Sequence, residues 1–237
     1  MIYFAHRGAS LDAPENTLAA FQLAIENNAH GIELDVHFSK DNKIIVCHDD
    51  NIKRTTNGKG WIKDFTSEEL RSFDAGSWFS STFAGEKLPY LEEVLALCKS
   101  DTIINIEIKN VPFFHKGIEE RVLQEVKRFG LEEQTVISSF DHESLLTVQE
   151  LNPYIKKGLL LYNNFIDLWG YIKHSGLQVE SIHPPYTFVD ERFMEKSHSM
   201  GYKVMPYTVD DVKVVNQLEN LNVDGLFTNN LTLIRNK

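Results

Sequence analysis

The 237 residues hold 24 Lys and Arg against 34 Asp and Glu, a formal net charge of −10, and 42% of them are hydrophobic. Such a balance suits one folded domain and argues against bulk nucleic-acid binding, which needs clustered basic residues. No apolar run approaches the roughly 20 residues of a bilayer helix, so no membrane contact through a span is expected.

Ile2-Tyr3-Phe4-Ala5 reads as a short buried strand ending in His6-Arg7-Gly8. The opening segment is too short for the apolar part of a signal peptide and has no basic leader. With Cys47 and Cys98 as the only cysteines, the expected setting is the cytoplasm, with thiols rather than a disulfide framework. A helix is expected next, with Leu18, Phe21, Leu23, Ala24 and Ile25 as its apolar stripe; Glu15 and Asn16, just before it, read at least as well as its cap as they do as contacts to the rim of a site.

Gly31 to Asp50 reads as two strands joined by a polar turn. In a strand, alternate side chains share a face, so Glu33 and Asp35 point one way and Ile32, Leu34 and Val36 the other. A turn centred on Asp41-Asn42 sets Lys40 opposite Lys43, His37 opposite Val46 and Asp35 opposite His48, with paired Cβ atoms roughly 4.5–5.5 Å apart. Residues 51–88, rich in glycine and aromatic residues, read as a small inserted subdomain, within which Thr66-Ser67-Glu68-Glu69 resembles a helix start.

From Pro89 onward helix and strand alternate. Thr102 to Lys109 reads as an alternating strand, with Ile104, Ile106 and Ile108 on one face and Asn105, Glu107 and Lys109 on the other. Further strands are expected at 135–138, 158–161, 179–183, 203–207 and 225–228, each separated from the next by a helix. Eight strands alternating with helices, the Lys43–Cys47 return set aside, predict a (β/α)8 TIM barrel formed by one domain over 1–237.

Active sites of such barrels lie at the C-terminal ends of the strands. His6, Arg7, Glu33, Asp35, Glu107 and Lys109, from three separate strands, fall at or near such ends, and His48 returns there through the hairpin. Three carboxylates without a cysteine favour a hard divalent ion, Mg²⁺ or Ca²⁺. Two imidazoles suit proton transfer in both directions near neutral pH. Arg7 and Lys109 give the local positive charge an anionic substrate needs in an acidic protein. These are the parts of phosphodiester cleavage.

The ordered set His6-Arg7-Gly8, Pro14-Glu15-Asn16-Thr17, Glu33-Leu34-Asp35-Val36, His48-Asp49, Arg54-Thr55-Thr56 with Gly58 and Gly60, Gly85-Glu86 to Leu88-Pro89, and Glu107-Ile108-Lys109 strongly resembles the glycerophosphodiester phosphodiesterases. The likeness is dense from Ile2 to about Lys109 and sparser to Thr228. It implies hydrolysis of small glycerophosphodiesters, such as glycerophosphocholine and glycerophosphoethanolamine, to sn-glycerol 3-phosphate and an alcohol. It further implies that Glu33, Asp35 and Glu107 hold the metal, His6 and His48 act as acid and base, and Arg7 and Lys109 contact phosphate. The near alternative is a lysophospholipase D-like activity; the distant one is a non-catalytic barrel that binds phosphorylated ligands.

Two positions depart from the family's habit, Thr228-Asn229-Asn230-Leu231 where Thr-Asp-x-Pro is frequent, and Tyr207 where Trp is frequent; both are expected to bear on the shape of the pocket. Phe113, Phe114 and His115 read equally as a pocket wall or a packed loop. His183 reads as structural, His30, His37, His142, His174 and His198 have no convergent partners, and Arg54 is expected to anchor the insertion rather than bind phosphate.

Overall fold

The computed structural model describes residues 1–235. Strand β1 (Ile2–His6) leads through a long turn to helix α1 (Leu18–Glu26) and strand β2 (Gly31–Phe38), whose hairpin partner is β3 (Ile44–Val46). The inserted segment contains α2 (Ser67–Ser72), and α3 (Leu91–Leu97) then returns the chain to β4 (Ile103–Ile108). The alternation continues with α4 (Ile118–Arg128), β5 (Thr135–Ser139), α5 (His142–Leu151), β6 (Lys156–Leu160) and α6 (Leu168–Ser175). It ends with β7 (Ser181–His183), α7 (Glu191–Ser199), β8 (Lys203–Val204), α8 (Val212–Asn220), β9 (Gly225–Thr228) and α9 (Leu231–Arg235).

Among the described residues the sheet has nine strands, eight of them in the order β8-β7-β6-β5-β4-β2-β1-β9, with β3 paired to β2 off this path. Neighbours along the path are parallel, while β2 and β3 are antiparallel. The remaining seam is bridged by backbone bonds from Asp224 N–H to Val204 O and from Phe227 N–H to Pro206 O, each 3.0 Å. The result is a nearly closed (β/α)8 barrel. Strand β8 is shorter than the sequence pattern suggests because Pro206 has no N–H to donate to a ladder.

Strict alternation sorts the side chains. Ile32, Leu34, Val36, Ile104, Ile106 and Ile108 are buried in the main core between strands and helices, each burial stabilising by roughly 1.5–3 kcal/mol. The alternate residues Glu33, Asp35, Asn105 and Glu107 therefore face the barrel interior. Thr17 caps α1, and Asp141, Asp167, Asp190 and Asp211 cap α5 to α8, each accepting a backbone N–H of the first turn.

A satellite core of Ile45, Cys47, Ile52, Ile62, Leu70, Ala75 and Leu88 lies under the inserted segment and ties it to β3. Its helix α2 opens with a capping box: Thr66 Oγ1 accepts from Glu69 N–H at 3.3 Å, and Glu69 Oε2 accepts from Thr66 N–H at 2.8 Å. Both cysteines are free thiols. No helix of the described residues is long and apolar enough to cross a membrane.

The hairpin corrects the expected register by one residue. Val36 pairs with Val46, His37 with Ile45 and Phe38 with Ile44, and Cys47 N–H donates to Asp35 O at 3.0 Å. Ser39 closes a three-residue loop by bonding Lys43, and Asn42 adopts φ 57° within it. An odd loop with a left-handed residue shifts the pairing by one relative to a two-residue turn. His48 is thus one residue beyond the partner of Asp35.

Candidate active site

The chain after β1 folds tightly to bring its polar residues back to the rim. Gly8 has φ +78°, and a Cβ there would lie 2.7 Å from the Ala20 backbone, so only glycine lets α1 pack this close. Arg7 adopts φ 58°, a conformation costing roughly 1–2 kcal/mol outside glycine. That turn aims its N–H at Glu33 Oε2, 2.8 Å away. Its side chain donates from Nη1 to Glu15 at 2.9 Å, and Nε lies 3.8 Å from Asp35 Oδ2.

Glu33, Asp35 and Glu107 are all buried, with one carboxylate oxygen from each lying within 4.8 Å of the others. Glu33 and Asp35 stand two apart on β2, and Asp35 is in register with Glu107 on β4. Burial, then the Asp35 and Glu107 charges, push the Glu33 carboxyl well above the usual range. Burial also raises Glu107 against the pull of Lys109. At Asp35 burial is outweighed by His48, Lys109 and Arg7 together with the Asn16 hydrogen bond, and its carboxyl lies below the usual range.

Three carboxylates so close do not all ionise by themselves. Among the described residues Asp35 Oδ1 is buried with no hydrogen-bond partner, an omission that costs about 1–3 kcal/mol unless something else meets the atom. Hard oxygen donors, an orphaned acceptor and crowded negative charge fit a divalent cation. Lys109 donates to Glu107 Oε1 at 2.7 Å and lies 3.6 Å from Asp35 Oδ1, which leaves a fixed positive charge beside the cluster.

The two histidines flank these acids. His6 Nδ1 meets Asn229 Oδ1 at 2.8 Å, and its Nε2 lies 3.9 Å from Glu33 Oε2. Asn229 is gripped by Asp210, which accepts from its N–H and Nδ2, both at 2.7 Å. Since an amide oxygen only accepts, His6 carries its proton on Nδ1 and presents the Nε2 lone pair. Burial, then Arg7, lower the His6 pKa to about 4, so the ring is neutral near pH 7. His48 Nδ1 meets Asp49 Oδ1 at 2.6 Å, and the ring lines the same cavity.

That cavity, ≈ 680 Å³, is bounded by His6, Arg7, Glu33, His48, Glu107 and Lys109 on one side and by Val111, Phe140, Leu160, Tyr162, Phe165 and Tyr207 on the other. Asn105 lies in its lining, bonded through Nδ2 to Ser138 at 2.8 Å, and its Oδ1 has no hydrogen-bond partner among the described residues.

All seven residues singled out from the sequence line this cavity or touch one that does. Asn16 does not cap α1, a task done by Thr17; its Nδ2 donates to Asp35 Oδ2 at 2.8 Å. Glu15 bridges Arg7 and Arg54 instead of capping. Asn229 belongs behind His6 rather than in the pocket wall. Of the histidines expected to have no convergent partners, two do reach the site: His37 Nε2 bonds His48 O at 3.2 Å, and His142 bonds Tyr171 Oη and Leu160 O while lining the cavity.

Of the Phe113-Phe114-His115 run, Phe113 packs on Trp61 at 5.2 Å and His115 on His37, and none of the three lines the cavity. His183 is buried against Phe227 and hydrogen-bonded to Ser181, and does not itself line the cavity. The signal missed for Asn16 and Asn229 was their chemistry: amides fix a carboxylate and an imidazole without adding charge.

A barrel rim that gathers acids, two imidazoles and two cations has the parts a hydrolase of an anionic ester needs. The glycerophosphoryl diester phosphodiesterase family model matches residues 6–233, and the chain belongs to that family. It is accordingly a phosphoric diester hydrolase.

The chain is 42% identical over 230 residues to a glycerophosphodiester phosphodiesterase of Caldanaerobacter subterraneus subsp. tengcongensis, covering 96% of this chain and 93% of that protein. A Bacillus subtilis glycerophosphodiester phosphodiesterase is 34% identical, over 95% of this chain and 82% of its own. An Oleispira antarctica phosphodiesterase, solved with its product sn-glycerol-3-phosphate, superposes with a TM-score of 0.88 at 28% identity, covering 100% of this chain and 96% of the other. A glycerophosphodiester phosphodiesterase from Agrobacterium tumefaciens gives 0.86 at 29% identity, over the whole of both chains.

Proposed function

We propose that this chain hydrolyses small glycerophosphodiesters such as glycerophosphocholine and glycerophosphoethanolamine in the cytoplasm, releasing sn-glycerol 3-phosphate and the alcohol. The observation that carries this reading is the placement of two differently anchored imidazoles beside one carboxylate cluster in a single cavity. The product bound by the Oleispira relative supports the glycerol phosphate end. The whole of 1–237 is taken as one catalytic domain, with residues 51–88 as its insertion.

Glu33, Asp35 and Glu107 would hold a divalent cation, Mg²⁺ or Ca²⁺, which when bound supplies charge neutralisation for the phosphate. Arg7 and Lys109 orient the diester and offset its negative charge. His6 Nε2, neutral and unprotonated, accepts the proton of the hydroxyl that attacks phosphorus. His48, when it carries a proton on both ring nitrogens and is held through Nδ1–H by Asp49, gives its Nε2 proton to the departing alkoxide and is left as the neutral ring. One P–O bond forms, the P–O bond to the alcohol breaks, and the charge stays on the phosphate.

The apolar side of the cavity, with Val111, Phe140, Leu160 and Phe165, favours a second reading in which an acyl chain of a lysophospholipid lies there. Metal-depleted protein assayed on glycerophosphocholine, glycerophosphoethanolamine and lysophosphatidylcholine, with Mg²⁺ and Ca²⁺ added back singly, separates the two. Coupled detection is expected to show glycerol 3-phosphate from the first two on cation addition. Choline release from lysophosphatidylcholine alone would replace this reading by the second.

A further inference from the structure

The inserted segment contributes a side chain to the rim that the reaction so far leaves unused. Arg54 sends Nε and Nη2 to the two oxygens of Asp49, at 2.7 and 3.0 Å, and Nη1 and Nη2 to the two oxygens of Glu15, at 2.6 and 2.8 Å. Asp49 Oδ1 is also the partner of His48 Nδ1. One planar guanidinium thus holds two carboxylates, one of which holds the imidazole.

We propose that Arg54 is a positioning residue that acts through Asp49 to aim the His48 imidazole at the leaving group, with Glu15 as its anchor. His48 follows β3 by two residues, outside any strand, and its side chain is 30% exposed. The partner of its Nδ1 therefore sets where Nε2 points. Asp49, itself 28% exposed, is free to turn toward water unless a fork of donors fixes both its oxygens. An arginine makes that fork and a lysine does not. Arg54 is 44% exposed, and Glu15 keeps Arg7 as a partner at 2.9 Å, so removal of Arg54 strands no buried charge and is expected to leave a folded protein.

The inference rests on His48 as proton donor to the alkoxide, so the test compares leaving groups. Choline requires a proton as it departs; 4-nitrophenolate does not. Arg54→Met is expected to lower kcat on glycerophosphocholine by about 10–100-fold with KM changed by less than about 3-fold, and to lower kcat on bis(4-nitrophenyl) phosphate by less than about 3-fold. Arg54→Lys behaves like Arg54→Met. The double variant with His48→Ala loses no more than His48→Ala alone, as expected of two residues acting as a unit. Equal losses on both substrates, or losses that multiply in the double variant, overturn the proposal.

An NMR measurement keeps it separate from the substrate reading. The Nδ1 proton shared by His48 and Asp49 gives a downfield line, assigned by its absence in His48→Ala, that is expected to broaden or shift in Arg54→Met. An unchanged line overturns the positioning role whatever the substrate. Wild-type protein inactive on every glycerophosphodiester, with the line still dependent on Arg54, refutes the substrate reading alone.

Discussion

The two halves of the barrel present opposite chemistry at the same rim. Strands β1, β2 and β4, with the hairpin return after β3, deliver His6, Arg7, Glu33, Asp35, His48, Glu107 and Lys109; the end of β6 and the loops after β5 and β6 deliver Leu160, Phe140, Tyr162 and Phe165. The charged half is cross-braced, since Arg7 touches Glu33, Glu15 and Asp35, and Arg54 links Glu15 to Asp49. The apolar half is built from ring contacts such as Phe140 with Tyr162 and Tyr207. A reaction on an anion needs fixed charges, and charges are fixed by other charges; a wall for a variable alcohol needs only shape.

The strongest way to break this division is to remove an imidazole. His6→Ala and His48→Ala are each expected to lower kcat by about 10²–10⁴-fold, while calorimetric titration shows divalent-cation affinity kept. An unchanged kcat in either variant would strip that histidine of its role. Next in size is Asn16→Ala, which frees Asp35 Oδ2 and removes a residue only 2% exposed. Cation affinity is expected to fall about 10–100-fold. Unaltered affinity would show that Asp35 needs no brace, and the cross-bracing argument would weaken with it.

How far the sequence foretold this division depended on the length of the pattern that carried each part. The alternation Ile104, Ile106, Ile108 against Asn105, Glu107 fixes a face wherever the strand pairs, so the acids' inward aim was legible. The pairing of β2 with β3 was not, because Ser39-Lys40-Asp41-Asn42-Lys43 accommodates two- and three-residue turns alike, and the choice rests on Asn42 accepting φ 57°. Asn16 and Glu15 look like cap residues in sequence, since the same polar groups serve a helix end or a distant carboxylate. Only the fold of the Gly8 turn decides between them. Asn229 and Arg54 act across 223 and 39 residues, separations at which no local pattern signals a contact.

The apolar half carries a pH dependence of its own. Burial lowers the His183 pKa on β7 to about 3, against roughly 6.5 in an unfolded chain. Between those values the unfolded state binds the extra proton, so stability is full above pH 6.5 and is lost as pH falls toward 3. His183→Gln keeps a partner for Ser181 without titrating. Its urea midpoint is expected to fall less between pH 7.5 and 5.0 than that of wild type, part of the slope remaining through His37, held near the same value. Equal slopes in the two proteins would place the acid sensitivity in the charged half instead.

The smallest expected effect is at Tyr162. Its side chain is 78% exposed, and among ring contacts of the described residues it meets Phe140 at 6.3 Å. Tyr162→Ala is expected to change stability by less than about 0.5 kcal/mol, as exposed positions away from special features do. Its kcat on glycerophosphocholine should stay within about 2-fold, while KM shifts by different factors for choline and ethanolamine esters, because loss of a ring face weakens contact with a methylated cation by about 0.5–1 kcal/mol at an exposed site. Steady-state kinetics on the two substrates reads this directly. A fall in kcat comparable to that of His48→Ala would mean the wall takes part in the chemical step, and the contrast between a braced catalytic half and a passive lining would no longer hold.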